Sequence, residues 1–260
     1  MRLLFLADVV GRPGRDAVEA LLPKLRDELD VDLAVVNGEN VADYRGITPR
    51  LADRLLAAGA DALTLGNHTF ARDEIGPYLA TSERVVRPAN LWSGAHGRGL
   101  TVVPARDGTP VAVLNLMGSI TLTVDASPWS LVDGLVEEAR ARAQVLLVDF
   151  HAEATSEKVA MARWLDGRAT AVVGTHTHVQ TADERILAGG TAAITDAGMT
   201  GPHDSVIGVE ARLAIHRMRT GLPVRFAAAE GGVLVQGCVI ECEPATGRAT
   251  AIERLSRPYP

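Results

Sequence analysis

The stretch LLFLADVVGRPGRDAVEALLPKLRDELDVDLAVV, residues 3–36, predicts the fold class of the chain. Residues 3–9 form an apolar run that predicts a buried strand, and residues 15–29 carry apolar side chains at helical spacing. Residues 33–36 form a second apolar run. A strand, a helix and another strand in this order are typical of a parallel sheet covered by helices. The stretch therefore indicates an α/β protein.

Further apolar runs follow the same rhythm and predict strands over residues 62–65, 111–116, 145–150 and 171–173. Between the second and third predicted strands, Thr48 is a favourable N-cap and Pro49 suits the first helical position. Gly59 follows the last apolar position of this pattern, where glycine commonly ends a helix. The sequence therefore predicts a helix between Thr48 and Gly59.

The rhythm changes in the last third of the chain. Residues 185–195 and 233–252 form strand-like runs joined by Gly-rich turns with little helical pattern between them, which predicts an antiparallel second sheet. The turn Pro244-Ala245-Thr246-Gly247 lies between the runs 233–243 and 248–255. A turn of this composition between two strand-like runs predicts a hairpin.

Length and composition indicate one main domain spanning residues 1–260. A chain of 260 residues with 47% hydrophobic residues can bury one large core. Residues 84–135 begin with a stretch rich in Gly and Pro, which leaves open a small cap lobe beside the site. The net charge is -6 and neither sign forms a long block, so there is no strong nucleic-acid signal.

The cysteines and the N-terminal residues predict the cellular compartment. Cys238 and Cys242 lie in one predicted strand at a separation too extended for an easy disulfide, which favours a reducing compartment. Asp8 places a charge too soon after the first apolar run for a signal peptide or a membrane span. We therefore expect a soluble, cytoplasmic protein with no membrane partner. The sequence leaves open whether the chain forms a symmetric homo-oligomer.

Residues that can bind a metal ion cluster where the predicted strands end. Polar residues follow nearly every core strand, in the segments Asp8, Asn37-Gly38-Glu39-Asn40, Gly66-Asn67-His68, Asp149-Phe150-His151 and Gly174-Thr175-His176-Thr177-His178. Because α/β sheets place ligands outside the carboxyl ends of their strands, we expect these segments to converge on a single crevice.

The candidate ligands are two carboxylates, two carboxamides and three imidazoles: Asp8, Glu39, Asn40, Asn67, His151, His176 and His178. This mixture suits iron, manganese or zinc better than calcium or magnesium, which prefer oxygen alone. The set exceeds what one tetrahedral ion can take, so a pair of ions sharing a carboxylate is the economical interpretation, with Glu39 as the bridging candidate. Asp149 and Glu153 flank His151 and are candidates for orienting its ring.

These segments resemble the calcineurin-like metallophosphoesterases and, among them, the YmdB-like family of small bacterial phosphodiesterases. The resemblance rests on residues 8–14, 37–40, 66–69, 149–153 and 174–181, and it continues at residues 195–202, so that it spans almost the whole chain. It implies a sandwich of two mixed β-sheets flanked by helices. The wider superfamily's first motif usually reads Asp-x-His, whereas Val10 stands at that histidine's place here; Asn40 is then the substitute ligand.

The resemblance also implies which residues hold each ion. One ion takes Asp8, Glu39, Asn40 and His178, and the other takes Glu39, Asn67, His151 and His176. Iron is the first expectation for the metal, manganese the next, and zinc a further candidate. The implied activity is hydrolysis of a phosphodiester, with cyclic nucleotides such as 2′,3′-cyclic AMP as the substrate class.

A mechanism follows from two adjacent cations. Water or hydroxide held between them becomes a nucleophile near neutral pH. His68, which follows the candidate ligand Asn67, is the candidate for protonating the leaving alkoxide, because its ordinary pKa suits that role. No Walker-type loop is present to indicate nucleoside triphosphate chemistry.

Two other functions stay open from the sequence. An amidohydrolase-like metal hydrolase on a (β/α)₈ barrel also uses His-x-His, although there the pair usually belongs to the first strand. A non-catalytic regulator that binds nucleotides on the same fold is the second alternative. Among the other histidines, structural roles are expected for His96 and His216, and His203 is either an ordinary loop residue or part of the pocket lining.

Overall fold

The apolar residues of the first strand divide between two buried faces, and this division defines the layers of the molecule. In the computed structural model, which describes residues 1–260, Leu3 and Phe5 pack in a cluster formed between two sheets. Leu4 and Leu6 point the other way and pack against helices. Successive side chains of a strand lie on opposite faces, so a strand apolar at every position must be covered on both sides.

The chain forms twelve strands and six helices. In chain order they are β1 (Arg2–Leu6), α1 (Gly11–Glu28), β2 (Leu33–Asn37), α2 (Pro49–Ala57), β3 (Ala62–Thr64), α3 (Ile75–Thr81), β4 (Leu100–Pro104), β5 (Pro110–Met117), α4 (Pro128–Arg142), β6 (Val145–His151), α5 (Thr155–Trp164), β7 (Ala171–Thr175), β8 (Arg185–Ile186), β9 (Ala192–Ile194), β10 (Gly201–Pro202), α6 (Ala211–Thr220), β11 (Val233–Cys242) and β12 (Ala249–Pro258).

Two mixed sheets pack face to face. The first has the order β10-β11-β1-β2-β3, with β12 also paired to β11; β1, β2 and β3 are parallel, and β11 is antiparallel to β1. The second has the order β4-β5-β6-β7-β9-β8, with β5, β6, β7 and β9 parallel. The predicted sandwich of two mixed sheets flanked by helices is confirmed. Two separate sheets exclude the barrel of the amidohydrolase alternative.

The predicted antiparallel second sheet is wrong. Strands β8 and β9 extend the second sheet, and β11 and β12 join the first. The edges of the parallel strands β1 and β7 present unpaired backbone groups, and the late strands satisfy these groups instead of pairing only with one another. The hairpin around residues 244–247 is confirmed, since β11 and β12 pair over their length.

Local sequence signals were sufficient to predict helix α2. The Thr48 hydroxyl accepts a hydrogen bond from the backbone N–H of Leu51, Pro49 is the first helical residue, and Gly59 follows the end with φ +112°. The sequence left open a small cap lobe within residues 84–135. This segment contains β4 and β5 of the second sheet and the beginning of helix α4. None of the helices combines the length with the apolar character that crossing a bilayer requires.

Candidate metal centre

Residues from both sheets meet in one cleft at the carboxyl ends of the parallel strands. Glu39 and Asn67 follow β2 and β3 of the first sheet, and His151 ends β6 of the second. Nε2 of His151 lies 3.1 Å from Oε1 of Glu39 and 3.0 Å from Oδ1 of Asn67. Asp8, after β1, accepts the backbone N–H of His176, after β7, at 2.9 Å. The predicted convergence of the strand ends is therefore present.

Several electron-rich atoms crowd around one ring nitrogen. Besides the oxygens of Glu39 and Asn67, Nδ1 of His176 lies 3.0 Å from Nε2 of His151. The candidate ligand atoms of Glu39, His151 and His176 all lie within 4.8 Å of one another. A single N–H serves one acceptor well, whereas a divalent cation is shared by several ligands. The arrangement fits a metal ion.

A buried relay sets the tautomer of His151. The Thr175 hydroxyl donates to Oδ1 of Asp149 at 2.7 Å, so its oxygen accepts from Nδ1–H of His151 at 2.9 Å. In the neutral ring Nε2 then keeps its lone pair, and it faces Glu39 and Asn67. A metal-ligating histidine commonly donates its other N–H to such a partner. Asp149, predicted to orient His151, acts through Thr175.

In the other two candidate histidines, one ring nitrogen likewise contacts a protein oxygen and leaves the other nitrogen free. Nδ1 of His178 donates to the carbonyl of Ile207 at 2.9 Å, which leaves Nε2 unprotonated toward Asn40 Nδ2 at 3.1 Å. Nε2 of His176 lies 3.1 Å from the Glu153 carboxylate, which leaves Nδ1 for the cleft. Glu153 thus orients His176 and not His151. In their neutral forms all three rings direct one lone pair into the same cleft.

Electrostatics favour a cation at Glu39. Burial alone raises the pKa of Glu39, but the charge and hydrogen bond of His151 outweigh burial and hold this pKa well below its usual range. Burial lowers the pKa of His151, yet Glu39 reverses the effect and raises it to about 9. Burial and the neighbouring His151 lower the pKa of His176 to about 3, so its ring is neutral. A proton on His151 and a metal ion are alternative partners for the same carboxylate.

Asp8 carries an unsatisfied buried oxygen. Its Oδ1 has no hydrogen-bond partner, and Nε2 of His178 lies 3.9 Å away from it. Burial raises the pKa of Asp8 to about 7. A buried carboxylate oxygen is costly unless it is paired, and a cation shared with His178 would supply that pairing.

Three of the eight non-glycine residues with positive φ are candidate ligands. Asp8, His176 and His178 have φ of +28°, +102° and +65°, in the region that residues other than glycine rarely adopt. Such strain clusters where the surrounding structure imposes a functional geometry. The strained turn at His176 and His178 is held by Asp196, whose Oδ2 accepts the N–H of Thr177 at 3.1 Å and pairs with Lys158 at 2.7 Å.

Gly66 leaves the space that the cluster needs. A Cβ at this position would lie 2.2 Å from Oε2 of Glu39 and 2.4 Å from Nε2 of His151. No side chain fits there without displacing both groups. The glycine that precedes Asn67 is therefore required by close approach and not by its φ.

Asn40 and Asn67 present their amides differently. Oδ1 of Asn67 faces His151, as expected of a ligand, whereas Nδ2 of Asn40 faces Oε1 of Glu39 and Nε2 of His178, both at 3.1 Å. To ligate through oxygen, the Asn40 amide must turn over, which exchanges two nearly isosteric groups.

His68 sits at the rim of the cluster. Its backbone N–H donates to Oε2 of Glu39 at 3.1 Å, and its ring Nδ1 accepts from Nε of Arg45 at 3.3 Å. Burial, with a smaller contribution from Arg45, lowers the pKa of His68. The neutral ring then carries its proton on Nε2. His203 donates from its ring toward the Met199 carbonyl at 3.2 Å, outside the cleft lining.

The cleft has a volume of about 300 Å³. It is lined by Glu39, Asn40, Tyr44, His68, Glu153, His176, Thr177, His178, Ile207, Val209 and Phe226. Sequence patterns assigned no role to Tyr44, Ile207, Val209 or Phe226. Tyr44 follows Asn40 closely enough to attract notice, but no local pattern connects the region of Phe226 with the strand ends.

Fold and site together define a metallophosphoesterase-type protein. The chain is similar to a phosphatase of Mycoplasma pneumoniae with a TM-score of 0.91 and 31% identity, covering 99% of this chain and 93% of the other. A Thermus thermophilus protein described as hypothetical superposes with a TM-score of 0.93 and 41% identity, with 100% of both chains covered.

The chain belongs to the YmdB-like protein family, whose model matches residues 4–255. It is 48% identical over 255 residues to a Bacillus subtilis 2′,3′-cyclic-nucleotide 2′-phosphodiesterase, covering 98% of this chain and 96% of the relative. The family recognised from the motifs is confirmed. So is the assignment of the chain to the enzymes of the phosphodiesterase and phosphatase class.

Proposed function

We propose that the chain is a binuclear metal-dependent phosphodiesterase that hydrolyses small cyclic nucleotides such as 2′,3′-cyclic AMP. The observation that carries the proposal is the position of Glu39. Its Oε1 contacts both Asn40 and His151, and these residues lie in the two halves of the candidate ligand set. The name of the B. subtilis relative supports the substrate class.

The candidate ligands form two groups, and both groups share Glu39. Asp8, Asn40 and His178 would hold one ion with it, and Asn67, His151 and His176 would hold the other. When bound, the ions would supply Lewis acidity that lowers the pKa of water and neutralises charge on phosphate oxygens. Iron is the favoured metal, with manganese next and zinc a further candidate, because each accepts this mixture of nitrogen and oxygen.

The chain's own residues position and protonate the substrate. His68 lines the cleft and carries its proton on Nε2, since Nδ1 accepts from Arg45. To act as the acid, the ring takes up a second proton on Nδ1 in place of the Arg45 hydrogen bond; this imidazolium then donates from Nε2 to the alkoxide that leaves the phosphodiester and returns to the neutral form. Arg45 holds the tautomer of that ring. The relay through Thr175 and Asp149 occupies Nδ1 of His151, so that Nε2 of the neutral ring would be free to hold a metal ion beside Glu39.

Phosphodiesterase activity after metal removal and return tests the proposal. The full chain, stripped with a chelator and reloaded separately with Fe²⁺, Mn²⁺ or Zn²⁺, is assayed on 2′,3′-cyclic AMP. We expect turnover only in reloaded protein. Tight binding of the nucleotide without turnover under every metal would favour the regulator alternative. The cytoplasmic location and a homo-oligomeric state stay predictions.

A further inference from the structure

Two aromatic rings line the cleft that contains the candidate metal ligands. Tyr44 and Phe226 share the lining with Glu39, His68 and His178. Their ring centroids lie 6.3 Å apart at an interplanar angle of 69°. Neither ring has a part in holding a metal or in protonating a leaving group.

The backbone imposes a rare conformation on Tyr44. Its φ is +82°, in a region where a bulky residue is a genuine outlier and glycine is the common choice. Its N–H donates to the carbonyl of Asn40 at 3.1 Å, which ties the ring position to a candidate metal ligand. Strained positions of this kind cluster at ligand-binding sites.

Phe226 is fixed from a different part of the chain. The guanidinium carbon of Arg217, on helix α6, lies 5.5 Å from the ring centroid. The residues after Phe226 are anchored by two backbone hydrogen bonds, from Glu210 to the Ala227 carbonyl and from Ala229 to the Gly208 carbonyl, both 3.0 Å long. The ring is thus held next to the cleft by contacts outside it.

We propose that Tyr44 and Phe226 form the subsite that binds the nucleobase of the substrate. The inference rests on the proposed function, because it assigns a role to two more lining residues of the same cleft. Bases stack on aromatic faces or meet aromatic edges, and such contacts tolerate different bases. The apolar side chains of Ile207 and Val209 complete the lining. Arg45, Arg72 and Arg225 line the adjoining cleft beside both rings and attract an anionic ligand.

The subsite predicts a preference by ring size. The aromatic pair offers stacking surface, while the polar groups of the cleft belong to the candidate metal cluster and its supports. We therefore expect purine cyclic nucleotides to be cleaved with higher kcat/KM than pyrimidine ones, with little discrimination between adenine and guanine.

A comparison of two substrates tests the subsite. The metal-reloaded full chain is assayed on 2′,3′-cyclic AMP and on 1-O-methylribose 2′,3′-cyclic phosphate, which has no base. The readout is the ratio of the two kcat/KM values. In Tyr44→Ala and Phe226→Ala this ratio should fall about 5- to 100-fold relative to wild type, and Tyr44→Phe should restore it. Trp164→Ala, which removes an exposed aromatic ring on helix α5, is the matched control.

The outcomes separate the two proposals. A wild-type ratio in both alanine variants overturns the base subsite while leaving the phosphodiesterase in place. The same applies to a parallel loss on both substrates, because a damaged fold changes no ratio. Failure of the wild-type protein to cleave either substrate under any of the metals overturns the proposed function, and the subsite with it.

Discussion

Nε2 of His151 lies 3.1 Å from Oε1 of Glu39, although His151 ends a strand of the second sheet and Glu39 follows a strand of the first. Both are almost completely buried, so the contact replaces solvent at the junction of the sheets. A buried carboxylate and imidazole at this distance are costly when only one partner is present. The contact therefore depends on the packing of the two sheets against each other, and it forms part of the candidate metal site.

Removing the His68 ring should separate metal binding from turnover. In His68→Ala we expect both ions to be retained, because only the backbone N–H of His68 contacts Glu39 and the substitution keeps that N–H. Turnover should fall about 10²- to 10⁴-fold through loss of the proton donor. Rate measurements paired with metal analysis check this, and an unchanged rate would remove His68 from the mechanism.

Filling the space at Gly66 should abolish metal binding. The Cβ of Gly66→Ala would lie 2.2 Å from Oε2 of Glu39, so one of the candidate ligands must move. Metal content and activity should both fall to near background.

Gly134→Ala is the control for that substitution, since nothing lies within 4 Å of its Cβ in helix α4. Activity should be unchanged there, and stability should rise by about 0.5–1 kcal/mol in chemical denaturation. Full metal content in Gly66→Ala would show that the cluster does not need this space.

The buried pair behind the His176–His178 turn should be important for stability. Nζ of Lys158 lies 2.7 Å from Oδ2 of Asp196, and both side chains are buried. Lys158→Met leaves the carboxylate without its cation, which should cost about 3–5 kcal/mol in urea denaturation. Glu138→Gln, which breaks the exposed pair with Arg142, should cost less than about 1 kcal/mol. Equal effects of the two substitutions would contradict this account.

The two cysteines should be inert in the folded chain. Burial raises the pKa of the Cys238 thiol far above its usual range and that of Cys242 to about 11. A raised pKa means that the reactive thiolate forms only at higher pH, so labelling by a disulfide reagent near pH 8 should be slow. In urea both thiols should react at the ordinary rate. Rapid labelling of the native protein would show that the strand β11 is more accessible than its burial indicates.

The sequence was sufficient to predict the class of fold and the meeting of the strand ends in one cleft. Apolar runs that end in polar residues are local features, and parallel strands bring their ends together by geometry. The path of the last third was not predictable in this way. Strand β11 pairs with β1 across nearly the whole chain, from Arg2 with Glu241 to Leu6 with Gly237, and alternation alone cannot choose between sheets.

Some details of the site could not be predicted either, because they depend on tertiary contacts. The first strand was expected to reach Val9 but ends at Leu6, and Asp8 then takes a φ of +28°, which the apolar pattern around it does not indicate. Phe226 reaches the cleft only through tertiary packing. Strain and long-range contact are properties of the folded state, and they are largest where function is expected.

The most direct test is the number of metal ions per chain in wild type and in Glu39→Gln. After reloading and removal of free metal, elemental analysis should find two ions per wild-type chain and at most one in the variant, because both halves of the cluster share that carboxylate. Glu138→Gln, on the exposed face of α4, serves as the control. One ion or none in wild type, or two retained in Glu39→Gln, would contradict the binuclear centre.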